Sequence, residues 1–228
     1  MSDAQLPLSL PHRPALGRQD FLTAPCNAEA VAWLERWPDW PSHALALAGP
    51  EGCGKTHLLH AFAESREGVC MTDAPDLSVD KVGHLAESHA VVVLDRLEAG
   101  FDETALFHLW NLTKENRRYL LMAGRLAPAR LHVALPDLAS RLSSVAVAEI
   151  RAPDESLLAA VLVKLFADRQ LKVGMDVVTY VLSRAERSFA AINAVVCALD
   201  RASLVERKPV TIPLARTVLA MLEQGGSQ

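Results

Sequence analysis

The chain has 228 residues, half of them hydrophobic but only 5% aromatic, enough for one moderately large globular unit or two small ones built on aliphatic cores. A net charge of −4 argues against electrostatically driven binding to nucleic acid, which calls for a basic surplus on one face. Cys26, Cys53, Cys70 and Cys197 are scattered without a CxxC pair, no charged-then-apolar leader opens the sequence, and no apolar run is long enough to span a bilayer. The expectation is a soluble, cytoplasmic protein with no zinc site, no disulfide framework and no membrane partner.

Residues 1–20 carry Pro7, Pro11 and Pro14 with no helical period, which predicts an extended or mobile tail. Within it, Leu6, Leu8 and Leu10 follow Gln5 at intervals of two, so in an extended conformation all three leucines project from one side. Such a segment either plugs apolar pockets on another protein or packs on its own domain. A first helix is expected over 27–37, with Asn27 as its N-cap and Ala30, Val31, Leu34 and Trp37 near helical spacing, closed by Pro38 and Pro41. Trp33, Trp37 and Trp40 read as packing residues rather than a stacking platform for bases. Next come a strand at 44–48, a glycine-rich turn and a helix to about residue 66, then a short strand at 68–72 and a helix at 79–89. Ala90-Val91-Val92-Val93-Leu94-Asp95 is continuously apolar and β-branched, as a strand buried on both faces must be, and it ends in a carboxylate.

A helix at 103–116, a strand at 119–123, a loop and an extended segment at 145–150 complete an alternating pattern that calls for a parallel sheet wrapped by helices. Beyond Pro153 the character changes to four helices, at 155–169, 175–185, 189–205 and 213–223. The predicted organisation is a tail at 1–20, an α/β domain at 21–152 and a small all-α domain at 153–228.

The chemistry concentrates in Gly49-Pro50-Glu51-Gly52-Cys53-Gly54-Lys55-Thr56, which fits GxxxxGK[ST] between a strand and a helix. Glycines let backbone N–H groups turn inward around phosphate oxygens, Lys55 offers a point charge to the β- and γ-phosphates, and Thr56 offers a hydroxyl to Mg²⁺. The helix opened by His57 points its positive end at the same anion. Asp95, at the end of the second core strand, is the expected metal partner of Thr56. The cofactors implied are ADP or ATP with Mg²⁺; the competing reading is a glycine-rich turn that binds nothing. His57 and His60 lie three apart on the helix, a spacing that suits packing and capping better than a metal pair.

A phosphate-loop sheet followed by a helical lid is the arrangement of AAA+ ATPases. Gly54-Lys55-Thr56-His57-Leu58-Leu59-His60-Ala61 resembles the phosphate-loop signature of the DnaA family of replication initiators, and the stretch from Phe21 to Asn27 resembles the segment framing that family's adenine pocket. Leu135-Pro136-Asp137-Leu138-Ala139-Ser140-Arg141-Leu142 resembles its arginine-finger segment, and Ala198-Leu199-Asp200-Arg201-Ala202-Ser203 is similar to the Hda-type, DnaA-related regulators that shut initiation down. The tail hexamer Gln5 to Leu10 resembles the short peptide by which bacterial replication proteins dock on the sliding clamp of the DNA polymerase. The resemblance implies a protein that docks on a DNA-loaded clamp through Gln5, Leu6, Leu8 and Leu10 and contacts ATP-bound DnaA. There Arg141 would promote hydrolysis as an arginine finger in trans. Without the resemblance, Arg141 reads rather as a surface residue pairing with Asp137 one turn earlier on a helix.

Departures from the family pattern bear on the protein's own enzymology. Arg96 stands where a second acidic residue is expected after Asp95. Glu98 is the alternative for that role, but a strand that continued straight would aim it elsewhere. Ala123, Gly124 and Arg125 occupy the next sensor positions, and Ala190 or Ala191 the position of the lid arginine, with Arg187 as the nearest substitute. The expectation is nucleotide binding with weak or no intrinsic ATP turnover and a leaning toward ADP. A self-sufficient ATPase that loads or remodels another protein is the second reading. An initiator that recognises origin DNA is the third, since no helix-turn-helix follows the helical segment. Arg117, Arg118, Arg125 and Arg130 form a basic cluster read as a solvated face. A module presenting a finger in trans is expected to associate with a neighbour, either DnaA or a second copy.

Overall fold

A computed structural model describes residues 23–206 and 208–225. Five strands, β1 Ala44–Ala48, β2 Val69–Asp73, β3 Val91–Asp95, β4 Tyr119–Gly124 and β5 Ala146–Glu149, form one sheet in the order β2-β3-β4-β1-β5. Every pairing is parallel. The register sets Ala48 beside Gly124 and Asp73 beside Asp95, so the carboxyl ends of β1, β3 and β4 converge on one edge.

The pleat distributes the strand residues between two layers, because successive side chains point to opposite faces. Ala44, Ala46, Val92, Leu94, Leu120 and Met122 face one core, closed by α3 Val79–Ser88, α4 Glu103–Glu115 and α5 Pro136–Ser143. Leu45, Leu47, Val91, Val93, Leu121 and Ala123 face the other, closed by α1 Ala28–Glu35 and α2 Lys55–Glu64. Fully burying a Leu or Val contributes roughly 1.5–3 kcal/mol, so each layer is held by its aliphatic contacts rather than by polar ones. Trp37 and Trp40 join the second layer edge-on to Tyr119, and the Trp40 indole N–H donates to the Trp33 carbonyl at 2.8 Å.

The lid begins at Asp154, whose carboxylate accepts from the Leu157 N–H at 2.8 Å and caps α6 Glu155–Asp168. With α7 Met175–Leu182, α8 Phe189–Glu206 and α9 Ile212–Gly225 it encloses a separate core around Leu162, Phe166, Val181, Val196 and Leu199. Among the described residues no helix is long and apolar enough to cross a membrane.

Two local expectations change. The stretch after β4, read as loop, contains α5, because Leu138 and Leu142 at a spacing of four are both buried against α4. Asn27 precedes α1 without capping it by its side chain. Its amide oxygen instead reaches back to accept from the Ala24 N–H at 2.8 Å, closing the turn before the helix.

Candidate functional site

The glycine-rich turn between β1 and α2 is shaped as a phosphate loop. Gly52 and Gly54 have φ of 68° and 97°, backbone a side chain would strain, and Gly54 gives way to the first turn of α2. Their missing side chains also make room for the lid. A Cβ on Gly52 would lie 2.7 Å from the Ser188 Cβ, and one on Gly54 3.3 Å from the Phe189 ring. The Phe189 N–H donates to the Gly52 carbonyl at 2.9 Å. The first turn of α8 is thus seated directly on the loop.

Lys55 is buried and folds inward, its ammonium donating to the carbonyls of Gly49 at 2.7 Å and Pro50 at 2.8 Å. The Cys53 sulfur lies 3.8 Å from the same nitrogen. Burial pushes the Cys53 thiol above its ordinary range, while the charge and hydrogen bonds of Lys55 pull the other way. At the start of α2 the Thr56 hydroxyl donates to Asp95 Oδ2 at 2.5 Å, and the other Asp95 oxygen accepts from the Arg96 N–H at 2.8 Å. A hydroxyl and a carboxylate brought together by two strand ends are the hard oxygen donors that suit Mg²⁺. The loop geometry and the inward ammonium suit a polyphosphate.

A cleft of 520 Å³ opens at this edge, lined in part by Glu51, Gly52, Lys55, Thr56, Asp95 and Arg96. Of the expected nucleotide residues, Gly49, Pro50, Cys53, Gly54, His57 and Asn27 do not line it. Gly49 and Pro50 serve it indirectly through Lys55, Gly54 by turning the chain, and Asn27 is buried in the turn it closes. Phe21 and the tail residues Gln5, Leu6, Leu8 and Leu10 lie outside the described residues.

The remaining lining is Glu98, Ala99 and Arg125; Arg125 stands at an expected sensor position, Glu98 was expected to aim elsewhere, and Ala99 carried no expectation. Arg96 adopts a left-handed conformation, φ 61°, so the chain does not continue straight from β3. It folds into a 3₁₀ turn, Leu97–Ala99, that brings Glu98 back to the cleft. The Arg96 guanidinium reaches sideways to Asp73 at 2.7 Å. Arg125, at the end of β4, leaves the supposed basic face. It pairs with Glu51 of the loop, its N–H donates to Glu98 Oε2 at 3.1 Å, and its Nε stands 3.8 Å from Glu98 Oε1. Arg187 is not a lining residue and pairs with Glu155 at 3.3 Å; Ser188, Phe189 and Ala190 are the lid residues nearest the loop.

Arg141 belongs to a different surface and does not line the cleft. Glu103, at the start of α4, accepts from the N–H groups of Ala134 and Leu135, both at 2.9 Å, which fixes the chain entering α5. Burial of Leu138 and Leu142 then sets the helix rotation and lays Arg141 over the Phe107 ring, 4.2 Å from its centroid. One guanidinium nitrogen, Nη1, is buried without a hydrogen-bond partner, and no ion pair to Asp137 forms among the described residues.

With this geometry in hand, residues 154–219 match the family model of the Hda lid domain. The helical domain of this chain matches an Hda lid. Domain III of the Thermotoga maritima replication initiation protein DnaA superposes with a TM-score of 0.77 at 19% identity, over 92% of this chain and 98% of that one. AMPPCP-bound DnaA from Aquifex aeolicus gives 0.68 at 21% identity, over 86% and 70% of the two chains. The RuvB Holliday junction branch migration motor of Thermotoga maritima gives 0.67 at 15% identity, over 86% and 67%. Both the parallel sheet and the lid of this chain therefore share the fold of these proteins.

Proposed function

We propose that this chain is a negative regulator of DNA replication initiation that stimulates hydrolysis of ATP bound to DnaA, acting through Arg141 in trans while docked on the sliding clamp by Gln5, Leu6, Leu8 and Leu10. The observation that carries the reading is Arg141 itself: a guanidinium outside the chain's own cleft, with one buried nitrogen lacking an acceptor. An unpaired buried donor of this kind costs free energy. When Arg141 swings out from Phe107, a γ-phosphate presented by a neighbouring AAA+ subunit supplies the missing acceptor and gains stabilisation of the charge that develops in phosphoryl transfer.

The protein's own cleft holds ADP or ATP with Mg²⁺ through Lys55, Thr56 and Asp95, and its nucleotide shapes the partner surface rather than being consumed. Arg96 in place of an acidic residue, committed to Asp73, supports weak intrinsic turnover. Nothing in this reading requires sequence-specific DNA binding. Its test is ATP turnover by a cognate DnaA, with and without this protein and a DNA-loaded clamp, using wild type, Arg141→Ala, and a Leu8→Ala, Leu10→Ala double variant. Acceleration by wild type alone of the three supports the reading; equal acceleration by Arg141→Ala overturns the finger.

One observation favours a self-sufficient ATPase instead: Glu98 shares the cleft with Thr56 and Asp95, where a carboxylate can orient attacking water. Brisk ATP turnover by the protein alone, lost in Glu98→Gln, would establish that reading.

A further inference from the structure

The helix that carries Arg141 has no cap of its own. Leu135 stands at the N-cap of α5 and offers no side-chain acceptor, and Pro136 at the first helical position has no N–H to place. With eight residues, α5 is too short to persist on helix propensity alone. Buried Leu138 and Leu142 fix which face turns inward, but two leucines on one stripe form a hinge line about which the helix can still roll. The restraint against that roll comes from α4. Asp102 caps α4, its Oδ1 accepting from the N–H groups of Thr104 at 2.8 Å and Ala105 at 3.0 Å. Glu103 is thereby left free, in a first turn where the helix dipole stabilises a carboxylate, to serve α5. Its Oε1 accepts from the Ala134 N–H and its Oε2 from the Leu135 N–H, each at 2.9 Å. One carboxylate holds two successive peptide groups at the entry to α5. One turn further along the same face of α4, Phe107 carries the Arg141 guanidinium.

Resting on the finger reading above, we infer that Glu103 is the positioning residue for Arg141 in DnaA-directed ATP hydrolysis. Once the guanidinium leaves Phe107 for a partner's γ-phosphate, its stacking contact no longer orients it, and its aim is set by the backbone of α5. A helix with its side chains has a radius of about 5–6 Å, so a roll of roughly 10° displaces the guanidinium by about 1 Å. Misplacement on that scale costs on the order of a hundredfold in rate. Leu138 and Leu142 resist withdrawal of α5 from the core but not its roll. The paired, charge-assisted bonds of Glu103 are directional and supply the missing restraint.

The experiment follows single-turnover hydrolysis of ATP bound to a cognate DnaA, with a DNA-loaded clamp, as the full-length protein is titrated. It separates the rate at saturation from the half-saturating concentration. Glu103→Ala is expected to lower the rate at saturation by about a hundredfold with the half-saturating concentration unchanged. Glu103→Gln, which keeps one acceptor oxygen, is expected to fall between it and wild type. In an Arg141→Ala background Glu103→Ala should change nothing further, because a residue that acts through the guanidinium has no effect once the guanidinium is gone. A role in folding alone moves the other quantity: a smaller folded fraction raises the half-saturating concentration and leaves the saturated rate intact. That outcome overturns the positioning role while the finger survives, as does a saturated rate in Glu103→Ala equal to that of wild type, or a further loss in the double variant. If wild type stimulates nothing, or Arg141→Ala stimulates as well as wild type, the finger reading falls and takes the role of Glu103 with it.

Discussion

The cleft and the α5 surface handle their charges in opposite ways. In the cleft each cation has a partner from the chain: Lys55 two carbonyls, Arg96 the Asp73 carboxylate, Arg125 two acids. At α5, Arg141 lies on an aromatic face with one nitrogen unsatisfied. A site whose charges are internally balanced is stable without its ligand and must exchange partners to bind. An unsatisfied one gains an interaction outright when an acceptor arrives. On the proposed reading, the contrast is that between a pocket held at rest and a side chain that awaits an acceptor from another molecule.

The hardest test of that contrast removes the probe. Arg141→Ala should lower DnaA-directed ATP hydrolysis by ~10³ or more, with Arg141→Lys little better because an ammonium lacks the planar fork. Nucleotide affinity of the protein itself, measured by displacement of labelled ADP, should stay unchanged; a large drop there would merge the two sites into one. The converse change, Lys55→Ala, should weaken ADP binding by roughly 10–100-fold, the worth of a charged hydrogen-bonding group, while leaving the protein folded by circular dichroism.

A smaller effect belongs to Phe107. Truncation to Ala removes half-buried packing and the stacked face, an expected loss of about 1–2 kcal/mol in urea unfolding. It should reduce stimulated hydrolysis more than Phe107→Leu does, since Leu keeps volume without a π-face. Wild-type activity in Phe107→Leu would show that the ring only fills space.

The smallest effect is a pH dependence on the α5 side of the sheet. His43 packs edge-on to Trp110 at 4.6 Å between centroids, and burial, aided by the charge of Lys114, lowers its pKa. The unfolded chain then takes the proton first. Stability contributed by neutral His43 is full above the ordinary histidine pKa and is lost as pH falls from there through the lowered folded value. The urea midpoint of wild type should decline over that window more steeply than that of His43→Phe; parallel declines would assign the slope to other groups.

Much of the fold was legible because hydrophobic period and glycine spacing are local signals. The run Val91-Val92-Val93-Leu94 announces a strand buried on both faces, and Gly49 to Thr56 announces the loop after β1. The helix α5 was not legible in the same way. Pro136, Asp137, Ser140 and Ser143 have the composition of a turn, and only the Leu138 and Leu142 pair carried the helical period. Within the cleft, Lys55, Thr56 and Asp95 came from the motif, but Glu98 did not. Its position depends on a left-handed arginine at 96, a conformation that composition assigns to glycine or asparagine. Arg125 was named at a sensor position, but its pairing was hidden for another reason, since its partners Glu51 and Glu98 are distant in sequence and meet it only through the strand order. Signals for both existed in part: Gly100 ends the turn carrying Glu98, and Gly124 leaves room beside it.

The hydrogen bond from Phe189 to Gly52 has a mechanical meaning. It fastens the phosphate loop to one end of an 18-residue helix, a stiff rod of about 27 Å at 1.5 Å per residue. Rotation of that rod by roughly 5° about its fastened end displaces the far end by about 2 Å. Because Ile192, Val196 and Leu199 of α8 are buried in the lid core, that single peptide group ties the phosphate loop to the lid as a whole, not to a free arm.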